Sequence, residues 1–164
     1  MTAEKNLRPA IPIDIEPLAR VWHNGWHEAH AAYLPTELTR LRTLESFVAR
    51  FSSMLEKTMV HEINGHPTGF CTIQGAELMH LFVCRTDRGT GTAGALLMNG
   101  ERRLVEAGIT TAWLACVIGN TRAARFYEHF GWRQVGTMIY NAPTEAGNFP
   151  VEEWRLEKHL DRSN

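Results

Sequence analysis

The stretch from residue 77 to residue 97, ELMHLFVCRTDRGTGTAGALL, constrains this chain more than any other. In it an apolar strand pattern passes through a glycine-rich turn into an apolar, helix-forming run. Gly89 and Gly91 let the backbone take positive φ and approach a ligand, and the amides from Arg88 to Ala93 fall where the start of a helix leaves N–H groups unpaired. Those amides and the helix dipole together attract an anion such as phosphate. The same turn also reads as a plain strand-to-helix connection that binds nothing. A Walker A loop is excluded, because Thr92 and Ala93 follow Gly91 where Lys and then Ser or Thr are required. Gly89, Gly91 and Gly94 satisfy the spacing of a dinucleotide fingerprint, but no acidic residue stands about 20 residues on at the end of a second parallel strand. The next candidate strand ends in Cys116, Val117 and Ile118 instead.

Around this unit the chain reads in order. Residues 5–10, KNLRPA, are a short first strand ending at Pro9. Asp14 is a candidate N-cap, with Pro17 in the first turn, for a helix whose Ile15, Leu18, Trp22, Trp26 and Ala29 recur at helical spacing. Pro35 separates it from a second helix, capped by Thr43, that aligns Leu44, Phe47, Val48, Phe51 and Leu55. Between Thr58 and Gln74 the residues alternate, and Asn64-Gly65 signals a two-residue hairpin, so the second and third strands are antiparallel. Gly75 turns the chain into a fourth strand, Glu77 to Val83. A third helix runs from about Thr90 to Glu106 with Gly108 at its C′ position. The fifth strand, Thr111 to Val117, completes a strand–helix–strand unit and is therefore parallel to the fourth. A fourth helix, Arg122 to Phe130, is capped by Asn120 or Thr121 and stopped by Gly131. A sixth strand follows from about Trp132 to Tyr140, then a loop over 141–150 and a seventh strand from Val151 to Lys158. Seven strands and four helices in this order make a mixed α/β sheet.

A chain of 164 residues, 44% hydrophobic and 21% charged, fits one soluble domain spanning 1–164. A net charge of -1, with 17 basic residues in no dense run, suggests neither nucleic acid nor membrane as a partner. No stretch reaches the roughly 18–20 apolar residues of a membrane span, and the polar start lacks a signal peptide's apolar region, so the cytoplasm is the expected compartment. Cys71, Cys84 and Cys116, odd in number and without CxxC spacing, read as reduced, buried thiols.

RGTGTA at residues 88–93, followed by NTRAARFYEHFGW at residues 120–132, is a specific pairing. On it the chain resembles the GNAT superfamily of acyl-CoA-dependent N-acyltransferases, over most of its length from LRPA to the closing strand. The resemblance implies that the amides of Arg88, Gly89, Thr90, Gly91, Thr92 and Ala93 hold the pyrophosphate of acetyl-CoA. The family's Asn-x-x-Ala-x-x-x-Tyr pattern falls on Asn120, Ala123 and Tyr127, which would flank the pantetheine arm and the sulfur. It further implies a mostly antiparallel seven-stranded sheet flanked by four helices, with strands four and five splayed at one end to admit the acyl-CoA arm. Two positions depart from the pattern. Arg85 stands where many members have proline, which loosens the turn, and Thr92 stands where many have an aliphatic residue, which costs packing. Neither removes an amide.

Acyl transfer from a thioester to an amine needs an unprotonated amine, a stabilised oxyanion and a proton for the departing thiolate. Amides of Leu81, Phe82 and Val83 are candidates for the oxyanion if the splay leaves them unpaired. Tyr127 is the candidate acid, a phenol able to protonate a thiolate, and otherwise an aromatic closing the core beside Phe126 and Phe130. For the amine's proton, Glu77 is the first candidate and His80 the second. Strand parity groups Glu77 with Met79, Leu81 and Val83 and places His80 on the opposite face. Either residue also reads as an ordinary strand side chain. His23, His27 and His30 lie nearly on one helical face, but HEAH falls one residue short of HExxH and no cysteine or carboxylate cluster joins them, so no metal is expected. In the family the first helix and the loop after it line the acceptor site, which makes Trp26, His30 and Tyr33 candidate substrate contacts.

The expected activity is transfer of an acetyl group from acetyl-CoA to a primary amine, in a ternary complex, with a small molecule or amino acid analogue favoured as acceptor. The alternatives are a non-catalytic acyl-CoA-binding sensor or interaction module, or transfer of another acyl group such as succinyl. A homodimer, formed through Trp132, Trp154 and the edge of strands six and seven, is a further expectation, with core packing as the other explanation of those residues.

Overall fold

The computed structural model describes residues 6–161, so Lys5 of the expected first strand lies outside the described residues. The strands are β1 (Leu7–Pro9), β2 (Thr58–Ile63), β3 (His66–Gln74), β4 (Glu77–Val83), β5 (Thr111–Val117), β6 (Arg133–Thr144) and β7 (Gly147–His159). They form one seven-stranded sheet in the order β1-β2-β3-β4-β5-β7-β6. Every neighbouring pair is antiparallel except β4 and β5, which run parallel. The helices are α1 (Ile15–His30), α2 (Thr36–Leu41), α3 (Leu44–Ser52), α4 (Thr92–Glu106) and α5 (Thr121–His129).

Each face of the sheet is covered by a separate apolar layer. On one, Leu18, Ala19, Trp22 and Trp26 of α1 and Phe47 and Phe51 of α3 pack on Val60 and Phe70. On the other, Leu96, Leu97 and Leu104 of α4 pack on Cys71, Leu78, Ala112, Leu114 and Leu156. Burying a side chain of this size stabilises by about 1.5–3 kcal/mol, so the two layers supply most of the driving force. Trp132 is 1% exposed and belongs to the second layer, so it offers no surface to a partner. Cys71 and Cys116 are buried free thiols, while Cys84 is only half-buried.

Local signals place most boundaries. Asn64 (φ 51) and Gly65 (φ 81) make the left-handed turn between β2 and β3. Thr43 caps α3 by accepting from Ser46 N–H, and Asn120, the first of the two expected candidates, caps α5 by accepting from Ala123 N–H. Five places differ from the sequence-based expectation. The additional helix α2 follows Pro35 and is anchored by Leu38, which is 1% exposed; six residues with one buried anchor show no apolar period. Asp14 does not cap α1 with its side chain. Its carboxylate instead accepts from Ile11 N–H and from Arg8, holding the β1–α1 connection. Helix α4 begins at Thr92, later than about Thr90. The expected loop over 141–150 is mostly strand: β6 and β7 continue to pair through Asn141–Pro150, Ala142–Phe149 and Pro143–Asn148. Pro143 and Pro150 are tolerated there because this end of the hairpin extends past β5 and each strand has only one neighbour.

The last difference matters most for the site. The β3–β4 register shifts between Thr72 and Ile73, so that Thr72 faces His80 while Ile73 faces Leu78, and Met79 is the extra residue of a β-bulge. A bulge reverses side-chain parity beyond it. Met79 and Phe82 join the α1 layer and His80 packs on Trp22, whereas Leu81 and Val83 turn to the α4 layer. The parity expected from strict alternation, with His80 opposite Glu77 and Leu81 and Val83 beside it, is therefore corrected.

Phe82 fixes the approach of α1, because a Cβ on Gly25 would lie 2.9 Å from its ring. Gly25→Ala gains about 1 kcal/mol of helix propensity and suffers about 1–3 kcal/mol of overpacking. Urea denaturation is expected to show net destabilisation of up to about 2 kcal/mol, and the same change on a Phe82→Leu background is expected to become neutral or stabilising.

Candidate active site

Strands β4 and β5 touch only at their first turns of chain. Glu77 pairs with Trp113, Trp113 N–H donates to Ala76 O, and beyond that point the strands part. Cys84 N–H donates to Thr68 O, which sets the alternation along β4: Phe82 turns its backbone to β3, and the N–H groups of Leu81 and Val83 face the gap. A cavity of about 700 Å³ fills the gap and extends under α1 and α3. Leu81, Phe82, Val83, Ala115, Cys116 and Val117 line it where the strands splay.

At one mouth lies the glycine-rich turn. Gly89 (φ 77) and Gly91 (φ 91) adopt the left-handed conformation, with open space where a side chain would stand. Arg88 N–H bonds Arg85 O, and the first helical bond of α4 runs from Ala95 to Gly91. Amides 89–94 between them have no backbone partner among the described residues, whereas the Arg88 amide, the first of the expected unpaired run Arg88 to Ala93, is bonded. Gly89, Gly91 and Ala93 line the cavity. The side chains of Thr90 and Thr92 do not; both hydroxyls donate to the buried Asp87 carboxylate, at 2.7 Å and 2.9 Å. Burial alone would raise the Asp87 pKa, but the hydroxyls of Thr90, Thr68 and Thr92 and the His61 ring 3.5 Å away hold it low. The turn is thereby pinned from beneath. The Thr92 hydroxyl, expected as a packing cost, is one of the pins, and Arg85 opens a 3₁₀ turn, Arg85–Asp87, in place of proline. The Arg88 guanidinium forms a two-pronged pair with Glu28 of α1, at 2.9 Å and 3.1 Å.

Along the cavity wall Asn120, Ala123 and Tyr127 of α5 follow one another. The Asn120 side chain is committed to capping α5. Tyr127 packs edge-on against Phe126 and Trp132, and burial followed by the nearby Cys116 and Cys71 keeps its phenol protonated well above neutrality. Burial pushes the neighbouring Cys116 thiol up to about 12.

Glu77 is 8% exposed, and its Oε2 accepts from Tyr140 OH at 2.9 Å. Burial raises the Glu77 pKa, opposed by that hydrogen bond and by Arg155. Glu153 of β7 also lines the cavity, and burial together with the Glu77 charge pushes it up to about 7. His80, brought to the same cavity by the bulge, stays neutral because burial, Arg50 and Arg42 all lower its pKa. Trp26 and His30 of α1, and Tyr33 just after it, also line the cavity. The three histidines of that helix diverge. The His23 ring lies tilted against His27, the Nε2 of His27 bonds Arg42 O at 2.7 Å, and His30 turns inward, where burial lowers it to about 4.

Arg42, Arg50, Tyr140 and Glu153 were not singled out in the sequence. The usable signal was a charged or polar residue inside an otherwise apolar element: Arg50 sits between Phe47 and Phe51, and Glu153 lies on β7, a strand with neighbours on both sides.

Residues 20–132 match the model of the "Acetyltransferase (GNAT) family". No match was found among curated proteins. The fold is similar to that of a GCN5-related N-acetyltransferase from Rhodopseudomonas palustris, with a TM-score of 0.74, 19% identity and 94% of each chain covered. It is also similar to a ribosomal-protein-alanine N-acetyltransferase from Brucella melitensis (0.71, 16% identity, 94% of this chain and 99% of that one). A phosphinothricin acetyltransferase from Sinorhizobium meliloti, solved with acetyl-CoA, matches at 0.68 with 16% identity over 94% of this chain and 87% of that one.

A carboxyl whose pKa is raised on folding stabilises the native state least when ionised, so the Glu153 contribution worsens as pH rises from the ordinary 4.5 to about 7. Unfolding free energies measured at pH 5 and pH 8 are expected to fall more for the wild type than for Glu153→Gln. An identical fall in both proteins would contradict the raised pKa.

Proposed function

This chain belongs to the acetyltransferase (GNAT) family and is an acyltransferase, and from that premise we propose that it moves an acetyl group from acetyl-CoA to a primary amine by direct attack, with both substrates in one cavity. The observation that carries the reading is the opening of the Leu81 and Val83 amides into the same cavity as Glu77 and Tyr127.

Acetyl-CoA fits the residues present: amides 89–94 offer a pyrophosphate cradle at the N-terminus of α4, and Gly89 and Gly91 leave it sterically open. Asn120, Ala123 and the splayed edges of β4 and β5 would flank the pantetheine arm. When bound, it supplies the acetyl group as a thioester. Glu77, directly or through water, takes one proton from the acceptor's ammonium and passes it to solvent. Its raised pKa brings it nearer to that of a useful base at neutral pH. The amides of Leu81 and Val83 stabilise the negative charge that develops on the acyl oxygen, an effect typically worth about 3–4 kcal/mol per donor. One N–C bond forms and one C–S bond breaks. Tyr127 gives its hydroxyl proton to the departing sulfur and recovers the second proton that nitrogen sheds on becoming an amide.

Relatives of similar fold are named for acceptors as different as ribosomal-protein alanine and phosphinothricin, so the acceptor does not transfer by likeness. The testing experiment is thiol release from acetyl-CoA with small amines, amino acids, polyamines, aminoglycosides and short peptides. Stimulation by one class supports the reading; tight acetyl-CoA binding with a flat panel would favour a non-catalytic acyl-CoA sensor. With an active acceptor, Tyr127→Phe is expected to lower kcat about a hundredfold while leaving acetyl-CoA affinity intact. Glu77→Gln is expected to abolish the acid limb of the pH–rate profile, and a profile left unchanged would remove Glu77 from the mechanism.

A further inference from the structure

The half of the cavity remote from the glycine-rich turn contains two arginines with no anionic partner among the described residues. Arg42 is 3% exposed; its Nη1 donates to Pro143 O at 2.6 Å, while its buried Nε has no partner. Arg50 lies with its Cζ 4.4 Å over the Trp22 ring, and its buried Nη1 is likewise unpaired. Other partly covered arginines are tied down: Arg8 to Asp14 and Glu62, Arg88 to Glu28, and Arg103 to Asn99, Lys57 O and Cys71 O. Burial and the like charge of Arg42 press the Arg50 guanidinium down to about 9, which leaves it charged at neutral pH. His30 Nδ1 and His80 Nε2 are buried and unpaired as well. All four side chains line one cavity. Buried polar groups in native proteins nearly always have partners, so unfilled sites converging on one space point to a ligand.

Charge in the cavity is divided. Glu77 and Glu153 stand at one end, Arg42 and Arg50 at the other, and Tyr140 between them, bonded to Glu77 and close enough to act electrostatically on both arginines. Trp22, Trp26, Leu38 and Met79 provide apolar walls.

We propose that the acceptor is a small zwitterionic amine, whose ammonium faces Glu77 and whose oxyanion, a carboxylate or a phosphonate, is bound by Arg42 and Arg50. This deepens the acetyl-transfer reading and rests on it. Guanidinium groups suit the task, because their planar donors match a carboxylate or phosphonate with two parallel bonds. The apolar walls select a side chain without further charge.

The probes are L-α-amino acids with apolar side chains, their carboxamides and the matching 1-aminoalkylphosphonates, with coenzyme A present in thermal-shift assays and acetyl-CoA in thiol-release assays. Anionic members are expected to raise Tm and to show kcat/KM about 10–100-fold above the amides, the loss typical of a charged hydrogen bond left unmade. Arg50→Met, which keeps a side chain over Trp22 while removing the charge, is expected to fold, to lose the response to anions and to treat acids and amides alike. Equal responses to acids and amides in the wild type, or no binding of any anionic amine, would overturn the proposal. Thiol release with amides alone would overturn it and leave acetyl transfer standing. Anionic amines that bind yet release no thiol would preserve the anion site and overturn acetyl transfer instead. Preference for succinyl-CoA with neutral amines would assign the arginines to the donor and also overturn the proposal.

Discussion

The parting of β4 and β5 is the constraint on which the rest of the molecule depends. A parallel pair in the middle of a sheet would ordinarily satisfy its backbone along its whole length, and each buried group left unpaired costs about 1–3 kcal/mol. Here the pair closes only at Glu77 and Trp113. The sheet survives because each strand is held firmly on its other side, β4 by β3 through an antiparallel register broken only at the Met79 bulge and β5 by β7 through a continuous one. The two apolar layers then clamp the halves from opposite faces. Unpaired amides and a cavity are thus produced by one feature.

Electrostatics divide the cavity as firmly as the strands do. At the turn, positive character comes from backbone amides and a helix terminus, with Asp87 buried behind them as an internal anchor for the Thr90 and Thr92 hydroxyls. A carboxylate there would oppose the anion that the proposed function brings to this turn, so on that proposal its value lies in shape, in the inward orientation of two hydroxyls. In the remote half, Glu77 and Glu153 repel one another while Arg42 and Arg50 do the same. Neither pair is neutralised by the other, since Tyr140 and apolar side chains separate them. Such an arrangement is poor for stability and well suited to recognising a molecule with both charges.

Much of the fold was legible in the sequence where a local rule had no competitor. The bounds of β4 and β5, the Asn64-Gly65 turn and the Thr43 cap follow from alternation, φ > 0 chemistry and a side-chain acceptor respectively. The family resemblance supplied the splay, which no periodicity encodes. What was not legible depended on partners distant in sequence. Asp14 has the residue type and position of a cap, yet Arg8 and the Ile11 amide compete for its carboxylate. Arg42 reaches Pro143 and Tyr140 reaches Glu77, bonds between residues 101 and 63 positions apart that only tertiary packing brings together.

The bulge at Met79 shows how one extra residue redirects chemistry. Without it, strict alternation would put His80 and Phe82 among the α4 side chains, where Leu96 and Leu97 leave no polar space. With it, the strand delivers Glu77, Met79, His80 and Phe82 to the cavity side under α1 while Leu81 and Val83 still present their amides to the gap. A bulge also strengthens local twist, and twist at the centre of a sheet helps its neighbours diverge. Restoring a regular register would turn the His80 and Phe82 side chains from the α1 layer to the α4 layer.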